Sequence, residues 1–313
     1  IIDAPGSDDF CGGVFSAFKV ADVAVMVFNA QTGFDVGSEI QSRYAMATKK
    51  PLIGAVNQLD HDKANWEQTI ESIQSQSRVK PVLVQYPVSV GATFDSFIDL
   101  LLMKMYRFKD ENGTREELEI PASEMDRAME LHGELLEAAA ENDEVLMNKY
   151  FETGELTPDE IRKGMRLGIT NRDFMPIFCV SGKKDIGTKR LMEFIINVAP
   201  NPAEAVPMTD VEGNDVLADA TAAPSLFVFK SSIESHVGEV SYFRVTTGKI
   251  TEGMELVNPR TGNKEKLSQI FAVAGKNRVK VSEMMAGELG CTVKLKGTRT
   301  NDTLVGGGSN VQI

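Results

Sequence analysis

Residues 51–60 read PLIGAVNQLD, a six-residue apolar run, Pro51 to Val56, that breaks on Asn57 and closes on Asp60. A short run of this kind, rich in aliphatic residues and without polar alternation, fits a strand buried on both faces. Residues 23–29 (VAVMVFN), 81–84 (PVLV) and 176–180 (PIFCV) have the same character. Helical periodicity falls between them, over 38–48, 64–77 and 188–198. Strands that alternate with helices imply a parallel sheet with helices on both faces. Ligands of such sheets sit beyond the carboxyl ends of the strands. Three short motifs are expected there: Asp3-Ala4-Pro5-Gly6 after Ile1-Ile2, Asn57-Gln58-Leu59-Asp60, and Ser181-Gly182-Lys183-Lys184.

The alternation breaks between about residues 106 and 175. Asp110-Glu111-Asn112-Gly113 reads as a hairpin turn, with Asn-Gly the strong signal. Thr157-Pro158-Asp159-Glu160 reads as a capping box with Pro at the first helical position. A strand and a helix resume afterwards, so this block is expected to be an insertion. Beyond Pro224 the helical period is lost. Short strands, 226–229 and 240–245 among them, are separated by turns at Gly248, Gly253, Gly262, Gly275 and Gly287, the pattern of a small barrel or sandwich. The expected division is an α/β domain over 1–105 and 176–200, an inserted subdomain over 106–175, a linker over 201–223 and a β-barrel over 224–313. Gly306-Gly307-Gly308 reads as a further linker.

Composition excludes several function classes. With 313 residues and 42% hydrophobic content there is apolar material for more than one core. No run approaches the roughly 18 apolar residues of a membrane helix. The net charge of -12 argues against binding naked nucleic acid, which needs clustered Lys and Arg. Residues 107–175 hold 18 Asp and Glu against 9 Lys and Arg, so the acidity concentrates in the insertion. Cys11, Cys179 and Cys291 have no metal-ligand spacing and read as reduced cytosolic thiols.

Each motif has a bland and a chemical meaning. Asp3 at a strand end suits a magnesium ion held through water, and Gly6 offers an unobstructed amide to a terminal phosphate; alone, Asp-x-Pro-Gly is also an ordinary turn. Asp60 can accept from the N1 and N2 hydrogens of guanine, a pair that adenine lacks. Asn57 and Asp60 equally suit a cap on the helix over 64–77. Ser181-Gly182 can present backbone amides to the guanine oxygen, or serve as a plain strand-to-helix turn. The ordered set, each member after an apolar run, is what singles them out.

Taken together, these motifs resemble translation elongation factor G, from its third GTPase motif to the end of its second domain, over nearly all 313 residues. Residues 135–150 (LLEAAAENDEVLMNKY) and 155–166 (ELTPDEIRKGMR) resemble the insertion of that family. Residues 240–248 (VSYFRVTTG) and Ala286-Gly287-Glu288 resemble its second domain. The resemblance implies an incomplete P-loop GTPase domain, with the phosphate loop and switch I upstream of Ile1. It implies GTP or GDP with magnesium in a full-length parent, and weak binding or none by this piece. Asp3, Gly6, Asn57, Asp60, Ser181, Gly182 and Lys183 would be the nucleotide-contacting positions.

Departures from that family accompany the match. The family has His directly after Asp-x-Pro-Gly, where this chain has Ser7, which is short and uncharged; hydrolysis is therefore expected to be impaired. The family's Lys in Asn-Lys-x-Asp is Gln58, and its Ser-Ala is Ser181-Gly182. Action on the ribosome is implied, in translocation or ribosome disassembly in the cytoplasm. A non-hydrolysing ribosome-binding regulator is the alternative; a ribosome-protection factor is disfavoured by the full insertion. Within the insertion, Glu130, Glu134, Glu137 and Glu141 form one helical stripe, with Met125, Ala128, Met129, Leu135 and Leu136 on the opposite face. Such a stripe is ordinarily a solvated face. The resemblance instead implies docking of a ribosomal stalk protein.

Overall fold

The computed structural model describes residues 1–6, 8–109, 113–235 and 238–313. It forms two compact units: Val23–Pro200, and Ile1–Asp22 together with Asn201–Ile313. Ser7, the tip Asp110-Glu111-Asn112 and His236 lie outside the described residues. Among the described residues no helix is long and apolar enough to cross a membrane.

Helix α1 (Cys11–Val20) follows the Asp3–Gly6 segment. The expected strand at Ile1-Ile2 does not form: residues 1–6 carry no regular structure, and Ile1 is exposed. Arg244 explains why this stretch belongs with the second unit. Its guanidinium, 4% exposed, donates to the Val20 carbonyl at 2.6 Å and to Asp22 Oδ1 at 2.7 Å. A cation is thus set on a carbonyl that α1 leaves without a helical partner.

The Val23–Pro200 unit runs β1 (Ala24–Asn29), α2 (Val36–Ala47), β2 (Leu52–Asn57), α3 (Trp66–Gln76), β3 (Lys80–Leu83), β4 (Gln85–Pro87), β5 (Ser96–Asp99), β6 (Lys104–Phe108), β7 (Arg115–Leu118), α4 (Ala122–Ala140), α5 (Glu144–Thr153), α6 (Pro158–Asn171), β8 (Phe174–Cys179) and α7 (Thr188–Val198). Strands β1, β2, β8 and β3, in that order, make the parallel sheet. Every residue of β8 and all of β2 except Asn57 are buried, as their unbroken apolar runs require. Strand β1 differs from the expectation of two buried faces. Val25 and Val27 are exposed, and β1 lies at the edge of the sheet with no described strand beyond it.

A second sheet, antiparallel and ordered β4-β5-β6-β7, begins at Gln85, inside the stretch that the sequence pattern assigns to the α/β domain. Strand β5 is buried at all four positions although two of them, Ser96 and Asp99, are polar. Helices α4, α5 and α6 follow. The Thr157–Glu160 capping box opens α6 as expected, with Pro158 in its first turn. Glu130, Glu134, Glu137 and Glu141 are all exposed on the α4 side that faces water. Leu135, Leu136 and Ala128 are buried, but Met125 and Met129, expected to share their apolar face, are exposed. Near the C-terminal end of α4, Ala139 and Gly164 of α6 come close together.

The second unit continues through a ribbon of β9 (Met208–Thr209) and β10 (Asp215–Val216) into β11 (Ser225–Glu234), β12 (Gly238–Thr247), β13 (Lys249–Thr251), β14 (Glu255–Val257), β15 (Lys264–Lys266), β16 (Ile270–Ala274), β17 (Asn277–Val281), β18 (Glu283–Met285), β19 (Leu289–Val293) and β20 (Thr303–Val305). Eight of these strands form one sheet, β15-β14-β20-β11-β12-β19-β16-β17, around a core that includes Leu226, Phe243, Ile250, Ile270 and Leu304. The five turn glycines read from the sequence all have positive φ, from 60° at Gly275 to 93° at Gly287. The residues after the Gly306–Gly308 run fold back: the Ile313 N–H donates to Thr303 Oγ1 at 2.8 Å and the Val211 N–H to the Gln312 carbonyl at 2.8 Å.

The crossing of α4 and α6 gives the first testable consequence. A Cβ added at Gly164 would lie 2.2 Å from the Ala139 carbonyl oxygen, a backbone atom that cannot move aside. Gly164→Ala should therefore destabilise by about 1–3 kcal/mol, despite the higher helix propensity of Ala. A thermal melt beside the parent protein checks this; an unchanged or higher midpoint contradicts the close packing.

Candidate functional site

The parallel register decides which residues meet. Asn29 lies opposite Asn57, and Val56 opposite Cys179, so the ends of β1, β2 and β8 are level. The segments that leave β2 and β8 then meet above the sheet edge. An open pocket of about 510 Å³ forms there, lined by Asn57, Gln58, Asp60, His61, Asp62, Gly182 and Lys183. That size falls within the roughly 300–1,000 Å³ of small-ligand sites.

Four hydrogen bonds build the pocket wall. Asn57 Oδ1 accepts from the Gln58 N–H at 2.8 Å and from the Gly182 N–H at 3.0 Å. Two N–H donors on one atom fix it as the amide oxygen, so the amide NH₂ points elsewhere. Ser181 is fully buried, and its Oγ donates to Asp60 Oδ1 at 2.7 Å while accepting from the Lys184 N–H at 3.2 Å. Asp60 Oδ2 accepts no hydrogen bond among the described residues. Leu59, fully buried between Gln58 and Asp60, anchors the loop, and its carbonyl accepts from the Gly91 N–H at 2.7 Å.

The helix-cap reading of Asn57 and Asp60 does not hold. Asn65 caps α3, its side chain accepting from the Gln68 N–H at 3.0 Å. The loop after β8 also differs in detail from its expected use. The Ser181 N–H goes to the Ile186 carbonyl and the Gly182 N–H to Asn57. Both amides expected to face a base are thus engaged within the protein. The Lys183 N–H makes no such bond among the described residues, so Lys183 carries the open amide of this loop.

Gln58 sits at φ 63°, a left-handed conformation uncommon outside glycine. Its side-chain oxygen accepts from Gln31 Nε2 at 2.7 Å. Gln31 is held in turn by Asn29, whose Oδ1 accepts the Gln31 N–H at 2.9 Å. The sequence pattern did not single out Gln31, His61 or Asp62. Their only local signal is that they follow the strand ends closely.

Asp3 and Gly6 belong to the other compact unit. Among the described residues nothing lies within 4 Å of the position a Cβ would take on Gly6, so none of them demands glycine there. Asp3 is a single exposed carboxylate. Among the described residues no group of three or more His, Cys, Asp or Glu could hold a metal ion. One carboxylate suits a magnesium ion reached through water rather than an all-protein cage. The three cysteines are free; Cys11 is exposed, and burial, with Asp99 adding to it, pushes the Cys179 thiol well up.

Comparisons with known proteins agree with this architecture. The family model described as Elongation factor Tu GTP binding domain matches residues 1–201, and the one described as Elongation factor G domain 2 matches residues 223–307. A crystal structure of a protein from Thermus thermophilus is similar at a TM-score of 0.85 and 28% identity, with 98% of this chain covered. The chain spans 44% of the length of that protein.

Neighbouring positions in the β8 loop should respond in opposite ways. Ser181→Ala removes two hydrogen bonds from a buried site and should cost about 1–3 kcal/mol. A Cβ on Gly182 would meet Asn57 only at 3.8 and 3.9 Å, and Gly182 does not have positive φ. Gly182→Ala should therefore be neutral or stabilising by up to about 1 kcal/mol. Denaturant titrations of the two variants check this; equal losses would contradict the assigned bonding.

Proposed function

We infer that this chain, which belongs to the elongation factor Tu GTP-binding-domain family and carries an elongation factor G second domain behind it, is the guanine-reading part of a translational GTPase that acts on the ribosome. The observation that carries the guanine reading is Asp60, held through Oδ1 by Ser181 with Oδ2 left open on the pocket. An ionised carboxylate accepts only. Guanine presents two adjacent donors, N1–H and N2–H, whereas adenine presents an acceptor at N1, so the pocket favours guanine. The open Lys183 N–H is a suitable donor to the guanine oxygen. Asn57 braces the two loops and keeps its amide NH₂ for the base.

The remaining assignments rest on the sequence motifs. Asp3 would meet magnesium through water, and the Gly6 N–H would meet the terminal phosphate. Magnesium would neutralise charge on the phosphates when GTP or GDP is bound. No G-x-x-x-x-G-K-[ST] phosphate loop occurs in the 313 residues. This stretch alone should therefore bind GDP very weakly, because backbone amides and the Lys of such a loop supply most phosphate contacts. In a full-length protein the task would be translocation or ribosome disassembly in the cytoplasm. The exposed stripe Glu130, Glu134, Glu137 and Glu141 suits a basic surface on a ribosomal stalk protein.

Ser7 favours slow hydrolysis and keeps a non-hydrolysing regulator as the second reading. A hydroxyl at this position is too short to orient the attacking water as an imidazole would, and it carries no charge. Loss of such a group costs a factor of about 10² to 10⁴. Multiple-turnover assays of the full-length protein on ribosomes should show binding with hydrolysis slower by about that factor than for an ordinary elongation factor G, and Ser7→His should raise the rate. Comparable rates for the unmodified protein contradict impaired hydrolysis.

Asp60 has its own test. In Asp60→Asn the new amide can donate to the C2 oxygen of xanthine and no longer accepts two hydrogens from guanine. Preference of the full-length protein should move from GTP toward XTP. An unchanged preference removes Asp60 from the base site.

A further inference from the structure

We propose that Asp99, acting with Gln85 and Arg190, is the positioning residue of the base site, one buried carboxylate that fixes both ends of the loop carrying Ser181, Gly182 and Lys183. The proposal rests on the reading of that loop as one wall of a guanine pocket. The loop leaves β8 at Cys179 and enters α7 at Thr188. Its two ends are tied to the same atom.

At the β8 end, the Cys179 N–H lies beyond the reach of β3, whose pairing with β8 stops at Leu83 opposite Ile177. Gln85 Oε1 accepts it at 3.2 Å instead. The other end of the same amide, Nε2, donates to Asp99 Oδ2 at 3.2 Å. At the α7 end, Arg190 in the first turn donates Nε to Asp99 Oδ2 at 2.7 Å. Asp99 and Gln85 are fully buried and Arg190 is 6% exposed. Asp99 Oδ1 accepts the Leu102 N–H at 3.0 Å, so both of its oxygens are bonded.

The loop between the ties is closed on itself. Ser181 and Ile186 exchange N–H to carbonyl bonds at 2.9 and 3.0 Å. Gly187, at φ 78°, caps α7 against β8 so closely that a Cβ there would lie 2.1 Å from the Cys179 carbonyl oxygen. A shift of β8 against α7 has little slack in which to dissipate. It passes to Ser181 Oγ, and so to Asp60, and to the Gly182 N–H, and so to Asn57.

A buried ion pair is a weak source of stability, because desolvation offsets its attraction. Its value here is geometric, since every bond is directional and dry. Strands β4 and β5 carry Gln85 and Asp99, so the antiparallel β4–β7 sheet holds a base-site loop in place. Loosening these ties should therefore change base discrimination as well as folding stability.

The test uses the full-length protein. Asp99→Ala would strand the Arg190 charge, so two milder variants are suited: Gln85→Met, which keeps the side-chain length and deletes both amide bonds, and the pair Asp99→Leu with Arg190→Leu, which removes both charges together. Affinities for GDP and for inosine diphosphate, which lacks the N2 hydrogens, are measured by calorimetry beside nucleotide-free melting curves. GDP affinity should fall about tenfold or more, the cost of a displaced contact. Affinity for inosine diphosphate should fall less, so that the ratio between them narrows. Melting shifts with an unchanged ratio in both variants would overturn the proposal and leave the network purely structural. A wild-type protein that binds both nucleotides equally would instead overturn the guanine reading of the site, and this proposal with it.

Discussion

The 2.7 Å hydrogen bond from Ser181 Oγ to Asp60 Oδ1 joins residues 121 positions apart, and the candidate site depends on it. The two side chains can meet only because β2 and β8 are neighbours in a parallel sheet with their carboxyl ends level. The bond is charge-assisted and sheltered by the buried Ser181, which makes it stronger than a surface contact of the same length. It also sets a division of labour. One carboxylate oxygen is engaged inside the protein, and the other is left on the pocket. The Asn57 oxygen does the same with its two N–H donors, freeing its NH₂.

Much of this was legible because it is local. The unbroken apolar runs of β2 and β8 announce strands buried on both faces, and the polar residues that end them mark the sheet edge where ligands bind. The capping box at Thr157 and the positive-φ glycines of the second unit are likewise one-turn signals. What failed was a matter of neighbours. Val25 and Val27 look like core residues, but the face of β1 that carries them is exposed. Met125 and Met129 lie on the apolar side by helical spacing, yet both are exposed, because the buried side of α4 is concentrated in its last turns, from Leu135 to Ala140. Strand β5 carries Ser96 and Asp99 among its four residues, so no unbroken apolar run announces it, and the start of the antiparallel sheet at Gln85 was hidden.

Within the site, Asn57, Asp60 and Ser181 could be picked from sequence because they follow strand ends. The engaged amides of Ser181 and Gly182 could not, since backbone bonding is invisible in composition. Asp99 and Gln85 left only a faint trace, single polar residues inside otherwise apolar stretches, and Arg190, beside Lys189 in a polar segment, left none. A polar residue in such a place needs a buried partner, and here the partners come from other elements, as Asp99 and Arg190 do at 91 positions apart. The family assignment rests on both halves of the chain, residues 1–201 and 223–307. The chemistry of the site rests on a few side chains of the first half.

The central claim is that the pocket between the β2 and β8 loops reads guanine through Asp60. A crystal structure of the full-length protein with GDP and magnesium tests it most directly. The account predicts the base in this pocket, with N1 and N2 within about 3.2 Å of the Asp60 carboxylate and the guanine oxygen facing the Lys183 N–H. A base bound elsewhere, or one lying in the pocket with Asp60 turned away from it, would contradict the claim.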